Sequence, residues 1–195
     1  MPDRLYFSCW VEDARTQPVL RQFEQMLALF PFSKLSNHGP VLRMYAIGHA
    51  EPPLLEREIE HLPDNAALVE AVLAAAREFM QEDTACELEA AWDLWQFSGE
   101  WKLAPARVIL SCFGRIFDNE HDDRLRIEFG PDSQFLPMPN VEGGLRMGQS
   151  NLKSLLHLTG ELEQGLAVER RSLWSESGAN FASVLTQALG SYTPN

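Results

Sequence analysis

Two strand-like segments carry four side chains that together could bind a small molecule. The segment LYFSCWV alternates in polarity, so Tyr6 and Trp10 share one face of a strand. In the segment CELEAAWDLWQF the same alternation places Asp93 and Trp95 on one face and a mostly apolar set on the other. Aromatic walls with a carboxylate suit an amphipathic or cationic ligand. We therefore expect these four residues to line a ligand cleft on the sheet face away from the helices.

A plainer interpretation of the same residues competes with this one. Large aromatic side chains usually supply packing area, and Trp95 would then lie between the two halves of the chain without contacting any ligand. The two interpretations differ in whether the face that holds Trp95 is covered or forms a cavity.

Other reactive residues lack the spacing that their chemistry requires. Cys9, Cys86 and Cys112 are far apart and lie in strand-like runs, which predicts buried free thiols and no zinc site. The histidines form no i, i+4 pair, and neither a nucleophile elbow nor a phosphate-binding glycine loop is present. We therefore predict no catalytic residue, no metal and no cofactor. A small carboxylate-dependent enzyme with an aromatic-lined pocket stays the alternative.

The charge balance bears on the kind of partner. The chain has 16 basic and 28 acidic residues, for a formal net charge of −12. An acidic surface repels phosphate backbones and anionic bilayers, so neither nucleic acid nor a membrane is expected as a partner. A basic protein that this chain binds and regulates is a further alternative.

The amino terminus predicts the compartment. The segment MPDRLYFSCWVED has no basic stretch followed by an apolar one and a cleavage site, so we expect no secretory signal. No long apolar run occurs in the chain. These two features predict a cytoplasmic protein.

The pattern of elements over residues 1–97 is strand, helix, strand, strand, helix, strand. Thr16 is the expected cap of the first helix and Asp64 of the second. This βαββαβ order is that of a ferredoxin-like unit, in which the first and last strands are neighbours.

Residues 98–195 predict a second α+β half, in the order strand, strand, helix, strand, helix. Residues 134–149 contain two prolines and three glycines and are expected to form a loop, with Ser150 capping the helix that follows. The expected fold is α+β, with antiparallel or mixed sheets and helices on one face. One large sheet running through both halves is the alternative. We expect a binding or interaction protein with its cleft between residues 1–97 and 98–195.

Overall fold

The structure is a computed structural model that describes residues 3–11 and 18–190. Seven strands and four α-helices occur in this part of the chain. The strands are β1 (Arg4–Val11), β2 (Val41–Ala46), β3 (Leu55–Glu58), β4 (Thr84–Phe97), β5 (Trp101–Phe113), β6 (Leu125–Pro131) and β7 (Val168–Ser175). The helices are α1 (Val19–Leu29), α2 (Asn65–Arg77), α3 (Gly144–Gly165) and α4 (Phe181–Gly190), and a 3-10 turn spans Asp132–Phe135.

All seven strands form one antiparallel sheet in the order β3-β2-β4-β5-β6-β1-β7. The fold is therefore α+β, as predicted. Strands from both predicted halves share the sheet, because β1 lies between β6 and β7. The predicted boundary at residue 97 falls at the β4–β5 turn, inside this sheet.

The ferredoxin-like arrangement is not confirmed. That arrangement requires β1 beside β4, but β5 and β6 lie between them. The reason is that β4 pairs with β5 as a hairpin along its length, from Ala85 opposite Phe113 to Phe97 opposite Trp101. The other edge of β4 pairs with β2. Both edges of β4 are thus occupied by strands that are near in sequence, and β1 pairs elsewhere.

A single hydrophobic core joins one face of the sheet to the helices. The alternation predicted for β4 is observed, since Leu88, Trp92 and Leu94 are buried against the helices. Each helix adds apolar side chains to this core: Phe23, Met26 and Leu27 from α1, Leu68, Val72 and Leu73 from α2, Leu155, Leu158 and Leu162 from α3, and Phe181 from α4.

Of the two helix caps predicted in residues 1–97, one lies among the described residues. Asp64 caps α2 as predicted, because its carboxylate accepts hydrogen bonds from the backbone N–H groups of Ala66 and Ala67. Thr16, the predicted cap of α1, lies outside the described residues. In the described part of the chain, no helix combines the length and the apolar character that crossing a bilayer needs.

Helix α3 begins at Gly144, six positions before the predicted cap at Ser150. The glycines that indicated a loop serve close packing instead. A Cβ on Gly144 would lie 2.2 Å from the carbonyl oxygen of Met138, and one on Gly148 would lie 2.7 Å from that of Leu136. The first turns of α3 therefore pack directly on the preceding main chain, where only glycine fits.

The three cysteines are buried free thiols, as predicted. Burial raises the pKa of the Cys9 thiol to about 12, and Asp123 adds to the rise. At pH 8 only about one Cys9 in ten thousand is then a thiolate, the form that reacts. We expect the native protein to resist Ellman's reagent at pH 8 and the urea-unfolded protein to release about three equivalents. Rapid labelling of the native protein would contradict this burial.

The chain leaves β2 through a strained turn at Ile47, directly after the last strand residue, Ala46. Ile47 has a φ of 66°, and the N–H of Gly48 bonds the carbonyl of Ala46 at 2.7 Å. This three-residue turn is the positive-φ form of the γ-turn, which is rare and unfavourable. A β-branched residue at positive φ is a genuine outlier, yet the Ile47 side chain is 67% exposed.

Glycine at position 47 is expected to stabilise the protein. Its lack of a Cβ removes a strain of about 1–2 kcal/mol, which exceeds the roughly 0.5–1 kcal/mol that glycine loses in chain entropy. The melting temperature of Ile47→Gly should rise by a few degrees in calorimetry, on the order of 2–4 °C per kcal/mol for a chain of this size. The matched control is Ile116→Gly, since Ile116 is similarly exposed at 63% but has no positive φ. Equal shifts in the two variants would contradict the strain.

Candidate functional site

Two clefts bear on function, and the first of them lies on the sheet face opposite the helices, which is called here the open face. The first has a volume of about 830 Å³ and is lined by Tyr6, Trp10, Arg170 and Trp174 among others. It is called the Trp cleft and lies at the β1–β7 edge. The second, of about 640 Å³, lies between residues 32–41 and the β3–α2 connection near the other edge. It is called the loop cleft.

The four predicted site residues divide between these two regions. Tyr6 and Trp10 line the Trp cleft. Asp93 and Trp95 lie on β4, three strand positions from β1, which is about 14 Å at the usual strand spacing. The expectation that β1 and β4 are neighbours is therefore wrong, because the β4–β5 hairpin and β6 separate them.

Aromatic rings form the floor of the Trp cleft. The rings of Tyr6 and Trp174 stack with centroids 4.5 Å apart and planes at 19°, and the His121 ring lies 4.6 Å from that of Trp174. The indole N–H of Trp174 donates to Ser8 Oγ at 3.1 Å, and that of Trp10 donates to the carbonyl of His121 at 3.1 Å. Both indoles thus have a hydrogen-bond partner and a fixed orientation, which lowers the entropy lost when a ligand binds.

Three arginines line the same cleft, and two of them are already paired. Arg126 makes a two-pronged ion pair with Asp123, with N–O distances of 2.8 and 2.6 Å. Arg171 pairs with Glu163. Arg170 instead places its guanidinium carbon 3.8 Å from the centroid of the Trp10 ring, and in the described part of the chain it has no carboxylate partner within 4.0 Å. It is the arginine best placed to receive an anionic group.

The other end of the Trp cleft is acidic. Burial raises the pKa of the Tyr6 hydroxyl, and the carboxylates of Glu128 and Glu176 raise it further. Tyr6 therefore stays a neutral hydroxyl at neutral pH. The cleft thus has a polar hydroxyl and acids at one end, arginine at the other, and aromatic rings between them.

Asp93 has a positioning role beside the loop cleft. Its two oxygens accept hydrogen bonds from the Ser33 hydroxyl and, at 2.8 Å, from the backbone N–H of Lys34. The Ser33 oxygen in turn accepts from the N–H groups of Leu35 and Ser36 at 3.1 and 2.9 Å. Asp93 thereby holds the segment that forms one wall of the loop cleft. With both oxygens engaged, it is not placed as a free acid or base.

Trp95 is held through its backbone. The side chain of Asn151 on α3 accepts from the Trp95 N–H at 2.9 Å and donates to its carbonyl at 2.8 Å. Asn151 is 2% exposed, so these bonds are shielded from water. They connect α3 to the edge of β4 and give the Trp95 backbone a structural role.

No group of three or more histidine, cysteine or acidic side chains is arranged to hold a metal ion among residues 3–11 and 18–190. The loop cleft is lined by His38, His61, Lys34 and Glu58 among others.

The sequence analysis did not place His121, Arg170 or Trp174 in the expected cleft. The alternation in the run VERRSLW puts Arg170, Ser172 and Trp174 on one face of a strand. Only the pairing of β7 with β1 brings that face beside Tyr6 and Trp10. No local signal in the sequence specifies this pairing.

Removing the Asp93 carboxylate should loosen the wall of the loop cleft. We expect Asp93→Ala to lower the free energy of unfolding in urea by about 1–3 kcal/mol, because the Ser33 hydroxyl and the Lys34 N–H lose their acceptor. Trypsin should also cleave after Lys34 faster in this variant than in the wild type. Asp93→Asn, which keeps one acceptor oxygen, should lie between the two. Unchanged cleavage after Lys34 in Asp93→Ala would show that the loop is held by other contacts.

Comparison with known proteins adds no further constraint on the function. A scan against protein-family models, a search of curated proteins and a search of solved structures each find no match.

Proposed function

We propose that this chain is a cytoplasmic binding protein that holds a flat, amphipathic small molecule with an anionic group in the Trp cleft. The observation that carries the proposal is the position of Arg170 over the Trp10 ring, without a carboxylate partner in the described residues. A guanidinium on an aromatic face keeps its outward N–H groups available to a carboxylate or phosphate.

The ligand class follows from what surrounds Arg170. The rings of Tyr6 and Trp174 offer a flat apolar surface beside it, and rigid aromatics supply contact area at low entropic cost. The sequence-based expectation of a cationic ligand rested on Asp93, which lies outside this cleft. Because the charged residue best placed in the cleft is Arg170 and not Asp93, a ligand with an anionic group is favoured.

The other functions considered have weaker support. A carboxylate-dependent enzyme needs an acid with a free oxygen, whereas Asp93 is bonded to Ser33 and Lys34. Nucleic acid and membranes stay outside the proposal because of the net charge of −12.

The proposal is tested by calorimetric titration with 2-naphthoate, a flat anion, its neutral analogue 2-naphthamide, and acetate. We expect 2-naphthoate to bind at least about tenfold more tightly than either of the others, since ring and charge each add about 1.4 kcal/mol or more. Arg170→Gln should weaken 2-naphthoate about tenfold and leave 2-naphthamide unchanged.

The matched control is Arg57→Gln, the same substitution on the exposed edge strand β3 at the far side of the sheet. It should bind 2-naphthoate as the wild type does. Equal affinity of wild type for the anion and the amide, or no binding of either, would refute the proposal. An equal loss in both arginine variants would show a general charge effect and refute it too.

A further inference from the structure

A second surface, at the end of the sheet where β2 and β5 finish and β4 begins, exposes large apolar side chains. Ile47 is 67% exposed, Ile116 63% and Leu54 55%. Ile47 follows β2 and Ile116 follows β5, with the start of β4 between them. Two strand spacings therefore separate them, about 10 Å. These three residues are called the corner patch.

The corner patch is rigid because main chain packs on main chain around it. The N–H of Ile47 bonds the carbonyl of Asp83 at 2.7 Å, and the N–H of Ile116 bonds that of Glu82 at 2.9 Å. The carbonyl of Ile47 in turn accepts from the N–H of Asp118 at 2.7 Å. Both isoleucines are thus fixed to the same turn between α2 and β4.

The fold does not account for an isoleucine at position 47. The backbone there has a φ of 66°, which disfavours any β-branched residue. The side chain gains little burial in return, since two thirds of it faces solvent. Strained residues of this kind cluster at ligand-binding and switch regions.

The loops that form the corner patch are rich in acidic side chains. The three loops that form it, residues 47–54, 81–83 and 114–123, contain seven carboxylates and one arginine. Arg115 pairs with Glu82, and Asp123 pairs with Arg126 of β6. The remaining carboxylates have no ion pair in the part of the chain that is described: Glu51, Asp83, Asp118, Glu120 and Asp122.

We infer that the corner patch is the docking surface for a basic, amphipathic segment of another protein. Apolar side chains of that segment would cover Ile47 and Ile116, and its lysines or arginines would meet the surrounding carboxylates. A second copy of this chain is disfavoured as the occupant, because its patch carries the same negative charge and like charges face to face are repulsive. This inference does not rest on the ligand proposed for the Trp cleft, although Glu120 and His121 of the 114–123 loop line that cleft.

The probe for the test is a synthetic amphipathic peptide of leucine and lysine at helical spacing, labelled for fluorescence anisotropy. A scrambled peptide of the same composition separates surface recognition from attraction of charge alone. At physiological salt we expect the wild type to bind the amphipathic peptide and to bind the scrambled one at least about tenfold more weakly. Ile47→Gly and Ile116→Ser should each weaken binding about tenfold.

Unfolding would not explain a loss of binding in Ile47→Gly. This variant is expected to be more stable than the wild type, because glycine relieves the strain at position 47. The matched control is Leu103→Ser, which removes a 45% exposed leucine at the opposite end of the sheet and should leave binding unchanged.

Three results with the wild type and the corner-patch variants would overturn the inference. They are the absence of binding by the wild type, equal affinity for the two peptides, and wild-type affinity in Ile47→Gly and Ile116→Ser. An equal loss in Leu103→Ser would place the contact elsewhere and would overturn it as well.

Discussion

The β4–β5 hairpin is the constraint on which the rest of the structure depends. Its two strands pair along their length. Both strands also extend past their other neighbours: β2 pairs with β4 only as far as Glu89, and β6 pairs with β5 only from Ile109. The overhanging backbone must find other hydrogen-bond partners. On β4, the carbonyl of Ala91 accepts from the N–H of Ser33 at 2.8 Å, and Asn151 satisfies Trp95.

The same overhang explains residues that look out of place in the sequence. Pro105 lies within β5, where a proline is tolerated because β6 does not reach it and no ladder bond is lost. Asp93 lies opposite Pro105, and its carboxylate holds the 33–36 segment against the free edge of β4. The 33–36 segment can therefore form the wall of the loop cleft because β4 extends beyond β2 and leaves an edge for it to pack on.

On the open face, single charged side chains pair with two partners of opposite charge at once. Arg107 contacts Glu89 at 3.0 Å and Glu128 at 3.9 Å, while Arg43 reaches Glu89 at 2.9 Å. Hydrogen bonding to Arg107, with a smaller contribution from Arg43, holds the pKa of the Glu89 carboxyl below its ordinary value. These pairs are partly exposed and contribute little stability each. They neutralise the centre of the face, so the excess negative charge lies in the loops.

Local patterns in the sequence predicted the elements of this fold but not their neighbours. The alternation in β1 and β4 identified the buried and open faces, because side-chain direction depends only on position along a strand. Strand order depends on pairing between distant segments, and the alternation in β7 is equally compatible with several neighbours. Tyr6 and Trp10 were therefore grouped with Asp93 and Trp95, which lie three strand positions away, and were not grouped with Arg170 and Trp174.

A physical criterion separates residues that serve the fold from those that serve binding. Asn151 and Asp93 are polar, yet each satisfies backbone or hydroxyl groups that would otherwise be unpaired, so their types follow from the fold. Ile47 and Arg170 are different. Glycine would suit the backbone at position 47 better. The Arg170 guanidinium on β7 has no carboxylate partner in the described part of the chain, a situation that an uncharged residue would avoid. The fold gains little from isoleucine at position 47, and the Arg170 guanidinium, although it stacks on Trp10, keeps N–H groups that no described carboxylate accepts, which is why the two proposals rest on these positions.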